Sequence, residues 1–159
     1  AMILKPKLII CDEPVSALDV SIRAQIVNLL QDLQEKFGIS LIFISHDLSI
    51  VRHICHRIMV LYLGRVMEIA PAAEIYDQPR HPYTKALISA VPIPDPRMER
   101  KKQRTLLKGD LPSPVAPPSG CVFRTRCPQA DAQCAAEVPL LENTENDKHL
   151  VACHYWRTT

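Results

Sequence analysis

The stretch Leu8-Ile9-Ile10-Cys11-Asp12-Glu13-Pro14 decides how this chain is read. Four apolar residues in a row, without polar alternation, are what a strand covered on both faces of a parallel sheet requires. The two acids after them stand at the strand's C-terminal edge, where open α/β sheets bind ligands. Successive side chains of a strand point opposite ways, so Asp12 and Glu13 can divide the work of phosphoryl transfer, one facing a magnesium water shell and the other an attacking water. Taken alone, the same two acids could simply begin a turn.

The neighbouring segments favour an α/β arrangement. Ile22, Ile26, Leu29, Leu30, Leu33 and Phe37 recur at helical spacing, and Gly38 stands where a left-handed helix end belongs. Asp19 can cap that helix near Ser21. Leu41-Ile42-Phe43-Ile44 predicts a second buried strand, closed by Ser45 and His46, with Asp47 placed to cap a short helix through Val51 to Cys55. Strand, helix, strand, helix implies a parallel sheet. Ile58–Leu63 and Val66–Ile69 then flank Gly64-Arg65, a Gly-first pair that predicts a tight antiparallel hairpin, at the edge of the same sheet or in a small adjoining one.

Two short helices are expected next, one through Ala73 and Tyr76 and one starting near Pro82. Pro92, Pro94, Pro96, Pro112, Pro114, Pro117 and Pro118 then bracket the basic run Arg97, Arg100, Lys101, Lys102, Arg104 and Lys108, which predicts an extended connector with little regular structure. The basic run reads as a solvated linker, or as a contact for lipid headgroups or a partner. Four segments result: 1–70, 71–96, 97–118 and 119–159.

At 159 residues and 47% hydrophobic, the chain can bury a core, and its composition excludes a disordered polymer. A net charge of +2 gives no footing for nucleic acid. No apolar run approaches the roughly 20 residues of a membrane-spanning helix and no secretory signal opens the chain, so a cytoplasmic location is expected.

Ser16-Ala17-Leu18-Asp19 follows Asp12-Glu13 by a few residues, and Ile44-Ser45-His46-Asp47 ends the next strand. In order and spacing these segments resemble the Walker B strand, the D-loop and the switch-histidine loop of ABC-transporter ATPases. The resemblance implies a partial P-loop NTPase fold using ATP and magnesium, followed by a small irregular cysteine-rich extension. It implies that Asp12 orients magnesium, Glu13 is general base on the water attacking the γ-phosphate, His46 touches that phosphate and Asp19 couples two ATPase subunits. His46 alone could equally be a strand-end histidine bonded to backbone. The Gly-x-x-x-x-Gly-Lys loop, the glutamine loop and the glycine-rich signature are absent, and Ala1-Met2-Ile3-Leu4 resembles the end of the helix after that signature. The chain is therefore expected to be the C-terminal portion of a longer ATPase that by itself neither holds ATP tightly nor turns it over.

Tyr76-Asp77-Gln78-Pro79-Arg80-His81-Pro82-Tyr83-Thr84-Lys85-Ala86-Leu87 and Val91-Pro92-Ile93-Pro94-Asp95-Pro96 closely resemble the C-terminal extension of dipeptide and oligopeptide importer ATPases, which nickel importers share. Read physically, His81-Pro82-Tyr83 is a helix start with Tyr83 as a packing anchor. The kinship implies a peripheral subunit on the cytoplasmic face of the membrane. Its partners would be a second, homologous ATPase subunit, two permease subunits and, indirectly, a peptide-binding protein.

Cys11 and Cys55 lie within apolar segments and read as small buried hydrophobes, whereas Cys121, Cys127, Cys134 and Cys153 are gathered in the tail. Four thiolates can close a zinc site or an iron–sulfur cluster. The gaps here are wider than those of zinc knuckles and favour the larger object, and members of the peptide-importer family with such a tail are thought to carry a 4Fe-4S cluster. His154 is an alternative ligand or a surface neighbour. So polar a tail is expected to draw much of its folding energy from metal, as a structural clip, with electron transfer the second possibility. A rival reading of the whole chain is a metal-binding interaction module carrying a non-functional ATPase remnant.

Overall fold

A computed structural model describes residues 2–92, 95–102, 104–145 and 147–157. Ala1, and Ile93 and Pro94 of the proline-rich motif, lie outside the described residues. The chain forms two compact units, 1–55 and 56–159.

In the first unit, strand β1 (Leu8–Asp12) pairs in parallel with β2 (Ser40–Ile44), from Leu8 opposite Ser40 to Asp12 opposite Ile44. The crossover between them is helix α1 (Val20–Phe37), and α2 (Leu48–Ile54) follows β2. Asp19 caps α1, accepting from the Ile22 amide at 3.1 Å and the Ser21 hydroxyl at 2.9 Å, and Gly38 closes it at φ 62°. A side chain at that φ is strained, which is why glycine stands there. Cys11, Val15, Val27, Ile39, Val51 and Ile54 form the buried interior.

The expectation of strands buried on both faces is corrected here. Burial alternates along each strand, and Leu8, Ile10, Ile42 and Ile44 are all exposed. Among the described residues of this unit one sheet face is covered, so half of each continuous apolar run remains at the surface. The same limit moves the buried stripe of α1 toward Val27, leaving Ile22, Leu29 and Phe37 exposed.

In the second unit, β3 (Arg57–Tyr62) and β4 (Arg65–Pro71) form an antiparallel hairpin. Its sheet is the small separate one of the two alternatives, and it recruits strands from the tail: β5 (Glu142–Asn143) and β6 (Leu150–Val151) complete the order β3-β4-β6-β5. The turn is one residue earlier than expected. Tyr62 pairs with Arg65, so Leu63 and Gly64 are the central residues, at φ 47° and 72°. Positive φ at both positions matches the right-handed strand twist.

Helices α3 (Ala72–Asp77) and α4 (Pro82–Ala90) pack against β4, with Pro82 at the first turn of α4. Contrary to an irregular connector throughout, Asp95 caps a short helix, α5 (Pro96–Lys101), accepting from the Arg97 amide at 2.8 Å. Proline at the first helical position and an acid before it are a local start signal that outweighs the basic composition. Helix α6 (Ala132–Ala136) is capped by Asp131.

The tail contributes more apolar burial than its composition suggests, which corrects the view that it lacks the means to fold by burial. Phe123 and Val151 are 0% exposed and Trp156 is 4% exposed. Phe123 meets Tyr62 and Tyr83 at centroid distances of 5.2 and 5.3 Å, and those two tyrosines meet at 4.8 Å. The tail and the hairpin thus share one core, in which each aromatic pair adds about 0.5–1.5 kcal/mol beyond its buried area.

Candidate functional site

The parallel register of β1 and β2 ends with Asp12 beside Ile44, so the next residues of both strands leave the sheet at the same edge. The Glu13 amide extends the ladder, donating to the Ile44 carbonyl at 3.0 Å, and Glu13 then turns at φ 48°. A left-handed conformation at a non-glycine residue costs about 1–3 kcal/mol, and such strain gathers at functional sites. Buried Val15 anchors the turn, and Ser16 closes it by donating its hydroxyl to the Glu13 carbonyl at 3.1 Å.

Sequence reasoning placed Glu13 and His46 at one site, and the fold brings them together: Glu13 Oε1 lies 2.8 Å from His46 Nδ1. The other oxygen, Oε2, is shielded from solvent and has no partner among the described residues. A buried polar atom without a partner is where a ligand or water is expected. Asp12 stands at the adjoining strand end, exposed. Asp19 is exposed, and its hydrogen bonds from the Ile22 amide and Ser21 hold its carboxyl below the usual value.

Sequence reasoning missed Arg23. Its Nη1 pairs with Asp47 Oδ2 at 2.8 Å and its Nη2 donates to the Leu18 carbonyl at 3.1 Å. One guanidinium thereby ties the Ser16–Asp19 loop to the loop carrying His46. Asp47 also caps α2 through the Ser49 amide at 3.1 Å and hydroxyl at 2.7 Å. Although partial burial acts against it, the Ser49 and Ile50 bonds and Arg23 hold the Asp47 carboxyl below its usual value. The missed signal is weak, a polar residue one turn into α1 on its inner side.

In the second unit, Cys121, Cys127, Cys134 and Cys153 line one cleft, with His81 and Tyr155. The loops meet closely: the Cys121 amide donates to the Cys134 carbonyl at 2.8 Å, and a Cβ on Gly120, at φ 64°, would collide with the Cys134 and Ala135 backbone. Burial pushes all four thiols up, and for Cys153, at about 11, the neighbouring Cys127, Cys121 and Cys134 add to it. All four are free thiols. Among the described residues no three His, Cys, Asp or Glu side chains are gathered as a single metal ion requires. His154 Nε2 faces the Glu137 carbonyl at 3.2 Å, a backbone contact rather than a place among the thiols. Cys11 is buried and Cys55 half-buried, both with thiols raised by burial.

A second buried cluster escaped sequence reasoning. Glu68 is 0% exposed and accepts from the Arg80 amide at 2.7 Å and the His81 amide at 3.0 Å, and it meets His149 Nε2 at 2.6 Å. His149 Nδ1 lies 3.2 Å from Glu74 Oε2. An imidazolium can donate to both carboxylates at once. His81 is 1% exposed and caps α4, its Nδ1 accepting the Tyr83 amide at 3.0 Å, and burial pulls its pKa down to about 4.

This combination of a strand-end acid pair, a paired histidine and the His81-Pro82-Tyr83 element defines a class that comparison with known proteins also finds. Residues 67–134 match the family described as the oligopeptide/dipeptide transporter C-terminal region. The chain is 61% identical to the oligopeptide transport ATP-binding protein OppF of Haemophilus influenzae, over 96% of this chain and 46% of that protein. It is 63% identical to OppF of Salmonella typhimurium, over 96% and 45%, and 57% identical to the putative oligopeptide transport ATP-binding protein YkfD of Bacillus subtilis, over 99% and 47%. The chain belongs with the ATP-binding proteins of oligopeptide ABC transporters, in their C-terminal region. It spans about half the length of the relatives it matches. Among the described residues no helix is long and apolar enough to cross a membrane.

Proposed function

We propose that this chain is part of the energy-coupling subunit of a di- or oligopeptide importer, and that in the intact protein its first unit supplies the hydrolytic side of an ATP site. The observation that carries the reading is the Glu13–His46 contact at 2.8 Å, with a second Glu13 oxygen shielded and unpartnered. Glu13 is then the general base: Oε2 is free to take a proton from water while Oε1 is oriented by His46. His46 is exposed enough to meet a terminal phosphate, and Asp12 stands beside it to orient the waters of magnesium, which offsets phosphate charge when bound. Asp19, exposed at the start of α1, is the contact to a second ATPase subunit.

The partners in this reading are that homologous subunit, two permeases and, indirectly, a peptide-binding protein, with the subunit peripheral on the cytoplasmic face. In the intact parent, Glu13→Gln is expected to lower ATP turnover by about 10²–10⁴-fold while MgATP binding persists. Unchanged turnover would remove Glu13 from the base role. The chain by itself, without a phosphate-cradling Gly-Lys loop, is expected to bind MgATP weakly; tight micromolar binding would count against this assignment.

The four-cysteine cleft supports a second element of the proposal, a 4Fe-4S centre with a structural role, zinc being the alternative. Four thiols line one cleft, yet no three are gathered as a single ion requires, which favours the wider group. Bound there, the cluster would supply the positive charge that offsets four thiolates held in a poorly solvated site. Cys121, Cys127, Cys134 and Cys153 would be its ligands. Anaerobic reconstitution with iron and sulfide is expected to give a brown protein whose absorption is lost in Cys→Ser variants. Uptake of zinc with no uptake of iron would replace the cluster by the ion.

A further inference from the structure

His81 sits between the buried carboxylate of Glu68 and the four-cysteine cleft, and its geometry assigns it one kind of contact. Its backbone amide is held by Glu68 Oε2 at 3.0 Å and its Nδ1 by the Tyr83 amide at 3.0 Å, so the ring is fixed along both the chain and its own axis. Phe123 packs against it with centroids 5.7 Å apart. Because Nδ1 accepts a hydrogen bond, a neutral ring must carry its proton on Nε2.

Two consequences follow from that tautomer. A neutral imidazole ligates metal through an unprotonated nitrogen, and Nδ1 is already committed, so His81 cannot be a fifth ligand without abandoning its cap. The ring also lines the cleft in which the cysteine sulfurs lie, and among the described residues Nε2 has no hydrogen-bond acceptor. Leaving a buried N–H without an acceptor costs about 1–3 kcal/mol, and sulfur is the acceptor this cleft offers.

We propose that His81 donates its Nε2–H to a sulfur of the four-cysteine centre, as a positioning residue that sets the centre's electronic properties. This rests on the cluster reading above. The link also runs outward: His149 and Glu74 brace Glu68, and Glu68 braces the His81 backbone, so the helix start and the metal centre are joined through one buried carboxylate.

Hydrogen bonds to cluster sulfurs stabilise the reduced form, so their removal lowers the reduction potential. The test uses the whole chain, loaded anaerobically with iron and sulfide. His81→Asn keeps an oxygen able to cap α4 but places no N–H at the ring's Nε2 position. At a fixed poise its reduced fraction is expected to fall about tenfold relative to the parent, about 59 mV for a one-electron couple. In the unsubstituted chain labelled with ¹⁵N-histidine, pulsed EPR of the reduced centre is expected to show a nitrogen coupling. An unchanged potential in His81→Asn, or a loaded and reduced centre without histidine coupling, overturns the role of His81 while leaving the cluster in place. Failure to load iron in the unsubstituted chain overturns the cluster reading itself. Should His81→Asn not load, the coupling in the unsubstituted chain decides.

Discussion

Each unit of this chain contains a glutamate bonded to a histidine at nearly the same distance, and the two pairs serve opposite ends. Glu13–His46, at 2.8 Å, has side chains 38% and 78% exposed; Glu68–His149, at 2.6 Å, has side chains 0% and 3% exposed. Solvent screens the first pair, so it adds little stability and leaves its groups available to a ligand. The second is sealed in a core, where losing one partner strands a desolvated charge. An identical pair of residue types is thus machinery in one place and structure in the other, and exposure decides which.

The largest effect expected from this contrast is in the buried pair. His149→Ala should cost about 3–5 kcal/mol of the second unit's stability. Trp156, the one tryptophan, is buried in that unit, so urea unfolding followed by its fluorescence reads the loss directly. A change below 1 kcal/mol would mean that the buried pair is no more structural than the exposed one.

Acid should separate the units next. His81 is held near pKa 4, below its ordinary 6.5, so the unfolded chain takes up a proton that the folded chain resists. The stability contributed by the neutral ring is complete above about pH 6.5 and is lost as pH falls toward 4, on the order of 3 kcal/mol. Trp156-detected unfolding of the metal-free chain at pH 7 and pH 5 should show the decline, and His81→Asn should flatten it.

Smaller effects belong to the first unit. Asp47→Ala removes the α2 cap and the Arg23 pair together and should cost about 1–2 kcal/mol, read from helical circular dichroism during unfolding. Glu13→Gln should change stability by less than about 1 kcal/mol in the same measurement. A larger loss would place Glu13 among structural residues and weaken its assignment as a base.

How much of this was legible in the sequence follows from the range of each signal. Asp19, Asp47 and Gly38 were readable because a cap bonds to amides two or three residues away, or needs one special φ. The turn at Leu63-Gly64 was misplaced by one residue because composition favours glycine first. The alternating burial of Ile58, Val60 and Tyr62 instead fixed the register and placed Leu63 at positive φ. Helix α5 was hidden beneath a proline-rich, basic composition although Asp95-Pro96 marked its start.

The sequence by itself determined the acid pair at a strand end, the order of the neighbouring loops and the kinship with oligopeptide-transport ATP-binding proteins. Each of these is written within a few consecutive residues. Only the tertiary structure decided that Glu68 finds His149 across 81 positions, that Arg23 reaches Asp47, and that four distant thiols and His81 line one cleft. Such meetings depend on strand register and loop closure, which sum small preferences over the whole unit, and no local pattern of residues encodes them.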